Sequence, residues 1–226
     1  MQIHSVLALK QADPALIRRR FSVVTERTVM ELRGVSCLAL EEIAPAKQQI
    51  MCSCSFGSPV MHLDELREAV TSFATRAAEK LRRQSSVAGA VHVFISTSPF
   101  RENDPQYCQG MTIPLPNATN NTLKLVQEVL GGLRLIYRPG YCYAKAGVML
   151  MEISPAAIRQ GTLFLDAGAE DSSNQLMQNM DLINRKMGKD AIFLASAGTR
   201  NHWRMKQGNK SPCYTTHWGE LAVARC

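Results

Sequence analysis

No apolar run in this chain approaches the roughly 20 residues that a membrane-spanning helix requires. Residues 1 to 10 also lack the long apolar core and small-residue cleavage site of a secretory signal, so the sequence predicts a cytoplasmic protein with no membrane partner. Regular cysteine spacing is missing as well. Cys37, Cys52, Cys54, Cys108, Cys142, Cys213 and Cys226 are odd in number and follow no disulfide framework, so reduced thiols are expected. Neither a G-x-x-x-x-G-K-[ST] loop nor a G-x-G-x-x-G loop occurs, which excludes the two commonest glycine-rich phosphate cradles. Internal repeats and low-complexity tracts are absent too.

Candidate chemistry is equally sparse. Cys52 and Cys54 form a C-x-C pair, but no second pair stands at zinc-knuckle spacing, and His202, Cys213 and His217 are too scattered for a closed structural site. No metal and no cofactor are expected. The adjacent acids Glu41-Glu42, Asp64-Glu65 and Glu170-Asp171 fall in a linker, at a helix start and in a loop. Two-metal phosphoryl transfer needs carboxylates converging from a rigid sheet, so no catalytic residue is assigned. The chain reads as a binder and, taken by itself, not as an enzyme.

What is present is ordinary for a globular protein: 226 residues, 46% apolar and 20% charged, enough for one large domain or two small ones. The formal net charge is +7. Between Arg185 and Lys210 seven Lys or Arg stand against the single Asp190, interleaved with His202 and Trp203. That excess favours a polyanion such as nucleic acid, with a solvated basic face as the equally simple alternative.

Asp13-Pro14 predicts a helix start with a side-chain acceptor and a preset φ, running to about Arg20. A second helix is expected from Val23 to Arg33, closed by Gly34, so residues 1–34 form a helical unit. Residues 35–49 contain Pro45, show no period and read as a linker. From Ile50 the period becomes two, with Ile50, Cys52, Cys54 and Phe56 on one strand face until Gly57-Ser58-Pro59 stops it. Leu63, Leu66, Val70, Phe73, Ala77 and Leu81 then recur at helical steps. Val91 to Ile95 and Met111 to Leu115 alternate as strands, Leu123 to Leu133 makes a second amphipathic helix capped by Asn120 or Asn121, and Tyr141 to Ile153 is a last strand.

This β-α-β-β-α-β order over residues 50–154 predicts an α+β domain: a four-stranded sheet with two helices on one face and the other face free. Ser53, Ser55, Ser96, Ser98 and Lys145 should point from the free face, where hydroxyls and a cation suit a phosphate backbone or plain water. Beyond it, Ser172 or Ser173 should cap a helix ending near Gly188, and Ala191 to Ser196 reads as a strand. The rest of residues 172–226, an irregular tail from Gly198, is expected to hold a small core anchored by Trp203 and Trp218. The linker 155–171 carries Gln160-Gly161-Thr162-Leu163-Phe164, which has the form of a docking peptide with Leu163 and Phe164 available to a partner's pocket.

Several runs together resemble one family along nearly the whole chain: Glu26 to Gly34 (ERTVMELRG), Ser53 to Gly57 (SCSFG), Ala77 to Arg82 (AAEKLR), Thr97-Ser98-Pro99-Phe100, Tyr143 to Leu150 (YAKAGVML), Trp203 to Lys206 (WRMK) and Ser211 to Thr216 (SPCYTT). They are similar to the C-terminal part of UmuC-type Y-family translesion DNA polymerases. The resemblance implies the end of a thumb domain, a little finger, and a C-terminal domain of unknown function. It implies primer-template DNA as partner, held through its backbone by Ser53, Ser55, Phe56, Gly57, Ser96, Thr97, Ser98 and Lys145. It implies further that Gln160, Leu163 and Phe164 contact a sliding clamp, and that a processed UmuD dimer and RecA are partners. Palm and fingers would lie before Met1, which leaves a non-catalytic module of SOS mutagenesis and DNA repair, or alternatively a decoy that competes with an intact polymerase. Two departures from the family pattern stand out. Cys54 replaces a usual basic residue, and Gly161 replaces a usual leucine, whose burial is worth roughly 1.5–3 kcal/mol.

Overall fold

A computed structural model describes residues 3–39, 46–101, 103–157, 172–199, 202–206 and 208–221, and of residues 167–171 the backbone alone. The chain forms two compact units, residues 1–46 and 47–226.

In the first unit three short helices follow one another: α1 (Val6–Gln11), α2 (Pro14–Arg20) and α3 (Val23–Leu32). Each has a side-chain cap, since Ser5, Asp13 and Ser22 accept from the backbone N–H of Ala8, Ala15 and Thr25. Arg33 then ties the end of α1 to α3, donating to the carbonyls of Lys10 at 2.7 Å and Ala12 at 2.6 Å. Gly34 takes φ 87°, and Val35 N–H bonds the Met30 carbonyl, the left-handed closure that its position predicts. Helix α1 carries no apolar stripe and was not legible in the sequence.

The second unit holds the expected order: β1 (Ile50–Val60), α4 (Leu63–Arg83), β2 (Ser86–Thr97), β3 (Cys108–Thr119), α5 (Thr122–Ile136) and β4 (Tyr143–Pro155). The strands form one antiparallel sheet in the order β1-β4-β2-β3. Helix α4 buries Leu66, Val70, Phe73, Ala77 and Leu81, and α5 buries Leu125, Val129 and Leu133. These meet Ile50, Cys52, Val91, Val93, Ile95, Val148 and Leu150 from the inward positions of the strands. Each large apolar side chain buried there contributes roughly 1.5–3 kcal/mol. The opposite strand face, carrying the alternate residues, is left to solvent.

Four expectations are corrected. Strand β1 runs through Gly57-Ser58-Pro59 to Val60 because it is an edge strand, where a proline has no ladder bond to lose. A helix α6 (Ala167–Met187) begins before Ser172 and Ser173, so neither serine caps it. Ala191 to Ser196 forms no strand, and the chain there turns into a short 3-10 helix at Ala195–Ala197. Trp218 is 89% exposed and anchors nothing, whereas Trp203 is buried in the main core beside the sheet.

Helix α6 is fixed to the corner between α4 and α5. Met177 is buried and its sulfur accepts from Thr122 N–H at 3.4 Å, Asn121 donates to the Ser173 hydroxyl, and Arg82 binds Asp181 through two N–H donors, both at 2.7 Å.

Candidate nucleic-acid interface

The exposed sheet face is built from what alternation leaves over. Lys145 on β4 lies opposite Ser55 on β1 and Ser96 on β2, so one exposed cation stands between two hydroxyl-bearing neighbours on the same rung. Beyond that rung the ladder shifts register on both sides, between Ser55 and Val60 and between Ser96 and Thr97. The strands part there, and a hollow of about 440 Å³ opens, bounded by Ser55 to Pro59, Ser96 to Arg101, and Cys142, Ala144 and Lys145.

One wall is the loop after β2, which is held in shape by its own polar groups. The Gln106 amide nitrogen reaches the carbonyls of Ser98, Arg101 and Asp104 at 3.2, 2.9 and 3.1 Å. Arg101 also faces Asp104 at 3.5 Å, and Phe100 at the tip is 92% exposed. Under this wall Tyr143 is fully buried, and its phenol O–H donates to the Arg138 carbonyl at 2.8 Å. Desolvation by burial raises its pKa above the ordinary 10.0.

The other wall is the last part of β1. Gly57 donates its N–H to the Trp203 carbonyl at 3.3 Å, and a Cβ there would lie 2.5 Å from the Arg204 carbonyl oxygen. Only glycine admits so close a backbone. Farther along the open face, Phe94 on β2 is flanked on its rung by Gly147 of β4 and Gly110 of β3. Their missing side chains make room for the Phe94 and His92 rings, which sit 6.1 Å apart at a 31° tilt.

Of the eight residues expected at a DNA surface, Ser55, Phe56, Gly57, Ser96, Thr97, Ser98 and Lys145 line the hollow, and Ser53 lies on the same face one rung away, opposite Gly147. They are not equivalent. Ser53, Ser55 and Lys145 are exposed. Thr97 is buried, and its hydroxyl donates to Gln106 at 3.0 Å, so it shapes the loop and offers nothing outward. Phe56 points inward, 6.4 Å from the Trp203 ring. Cys54, where the resemblance expects a basic side chain, is half-buried against the core. Arg101 and Phe100 also bound the hollow and were not assigned to the DNA surface from sequence, although a basic residue directly after the family-like run ending at Phe100 was the available signal.

The expected clamp contact at Gln160, Leu163 and Phe164 lies outside the described residues. Among the described residues no group of three or more His, Cys, Asp or Glu is placed to hold a metal ion, and no helix is long and apolar enough to cross a membrane.

Residues 47–163 match the impB/mucB/samB family C-terminal domain, and residues 174–224 match a domain of unknown function (DUF4113). Among curated proteins the chain is 45% identical over 224 residues to Protein MucB of Escherichia coli, covering 99% of this chain and 53% of the relative. It is 42% identical over 223 residues to Protein ImpB of Salmonella typhimurium, covering 99% and 52%. Identity to Protein UmuC of Salmonella typhimurium strain LT2 is 41% over 219 residues, covering 97% and 52%. The chain thus spans about half the length of the curated relatives it matches.

Proposed function

The chain belongs to the impB/mucB/samB family, and from that premise we propose that it is the DNA-gripping C-terminal region of an error-prone translesion polymerase of the SOS response. It holds primer-template DNA by the phosphate backbone, reads no sequence, and supplies no catalytic carboxylate itself. The observation that carries this reading is the exposed Lys145 set between Ser55 and Ser96 on the open sheet face. Hydroxyls and an ammonium side by side on one rung, at the strand-to-strand spacing of roughly 4.8 Å, suit phosphate oxygens and offer no base-edge code.

Fluorescence anisotropy of a labelled primer-template over a salt series tests it. Two unrelated sequences should bind alike, log K should fall linearly with log salt, and Lys145→Ala should reduce the slope by about 0.9. Absence of binding at low salt, or binding indifferent to salt, sinks the reading.

A second attachment, to a sliding clamp, is assigned to Gln160, Leu163 and Phe164 on sequence grounds alone. With Gly161 in place of an apolar anchor, Leu163 and Phe164 together provide roughly 3–6 kcal/mol before ordering costs. The contact is weak and acts together with DNA. Immobilised clamp should retain the chain less well after Leu163→Ala with Phe164→Ala, and equal retention would remove this assignment.

A further inference from the structure

The segment around Trp203 belongs to a region with no assigned role, and its placement beside the hollow suggests one. Trp203 is 3% exposed and packs edge-on against Phe73 of α4 at 5.3 Å and Phe56 of β1 at 6.4 Å. Its carbonyl accepts the N–H of Gly57, so the segment lies along the free edge of β1, the outermost strand of the sheet. From that anchor the chain passes directly over Gly57. A Cβ on Gly57 would stand 2.8 Å from Lys206 N and 3.1 Å from Lys206 Cγ.

This end of β1 has no cation of its own, since Ser53 to Val60 contain neither Lys nor Arg. Lys206 is exposed and has no ion-pair partner among the described residues. The neighbouring Arg204, by contrast, faces Asp190 at 3.7 Å. A lysine whose stem starts against the rim and whose ammonium is unneutralised is placed to extend the line of donors beyond Ser55.

We propose that the C-terminal region of unknown function completes the phosphate-binding surface of the sheet domain: Trp203 anchors it to the core, and Lys206 serves as a DNA-backbone contact at the β1 rim. This rests on the nucleic-acid reading given above. It gives the C-terminal segment two tasks, covering an exposed strand edge and supplying a charge that β1 lacks.

The experiment titrates the full chain and its variants with labelled primer-template across a potassium chloride series, alongside thermal unfolding of each variant. Lys206→Ala should lower the slope of log K against log salt by about 0.9, as Lys145→Ala does, and leave the unfolding midpoint unchanged. Lys206→Arg should restore the slope. Lys124→Ala, on the helical side of the sheet, should leave it untouched. A slope unaffected by Lys206→Ala while Lys145→Ala lowers it overturns the assignment and leaves the interface standing. If neither variant moves the slope, the interface reading fails, and this proposal with it.

Discussion

Removing Asp181 tests how firmly the C-terminal region is part of the sheet domain. Arg82 and Asp181 have side-chain exposures of only 11% and 20%. Breaking a buried pair from one side leaves a charge without its partner, which costs about 3–5 kcal/mol when burial is complete. Here Arg82 keeps the Asn120 carbonyl and the Thr122 hydroxyl as acceptors, at 2.8 and 2.9 Å, so Asp181→Ala should cost less, about 2–3 kcal/mol. For a unit of this size that lowers the thermal midpoint by about 4–12 °C. Combining Asp181→Ala with Arg82→Leu removes the stranded charge, so the double variant should be more stable than the sum of the single losses implies. The assay is urea and thermal unfolding of the four forms, with limited proteolysis to report release of α6. A loss under about 0.5 kcal/mol for Asp181→Ala, strictly additive with Arg82→Leu, would refute the reasoning.

The two tryptophans should behave oppositely: Trp203→Ala should cost about 3–5 kcal/mol in urea unfolding, and Trp218→Ala, at an 89% exposed position, should stay within about 0.5 kcal/mol. Gly147→Ala puts a methyl into the Phe94 ring and 2.5 Å from Ser53 Cβ, so a loss of about 1–3 kcal/mol is expected, partly recovered when Phe94 is also reduced to alanine. Burial raises the Tyr143 pKa in the folded state, so its contribution is whole below about pH 10 and is lost as pH rises through the folded value. Thermal midpoints measured from about pH 8 to pH 11 should therefore fall at the alkaline end, and fall less in Tyr143→Phe.

Strand and helix periods were readable because each element of the sheet domain buries one face and wets the other. Ile50, Cys52, Cys54 and Phe56 alternate in sequence for the same reason that they line the inner side of β1. The end of β1 was misread because Gly57 and Pro59 look like a terminator, whereas an edge strand tolerates both, and the Gly57 N–H is taken up by the carbonyl of Trp203, far away in sequence. The C-terminal segment defeated pattern reading more fully. Its one buried tryptophan is fixed by contacts to Phe56 and Phe73, and a single long-range anchor produces no period. At the candidate site the residue types were legible and their directions less so. Thr97 and Ser98 look alike in a list of hydroxyls, yet the Thr97 hydroxyl is already used by Gln106.

The number of cations at the hollow sets how such a protein holds DNA. On the proposed reading Lys145, Lys206 and Arg101 are the contacts, with Arg101 partly neutralised by Asp104 at 3.5 Å. Two to three phosphate contacts correspond to a salt slope of about −1.8 to −2.7, so raising salt fourfold weakens binding only by about ten- to fortyfold. A surface with so few contacts gives short residence and lets the domain slide along the backbone without marking a position. Longer residence at a primer end then requires a second tether. With the two attachments on one chain, a weak peptide contact acts at an effective concentration in the millimolar range. On the proposed reading neither contact needs to be strong, and glycine at position 161 is tolerable only while the phosphate contacts remain. Weakening both, with Lys145→Ala and Phe164→Ala together, should therefore reduce retention on clamp-loaded DNA by far more than either change alone, whereas on bare DNA Phe164→Ala should have no effect.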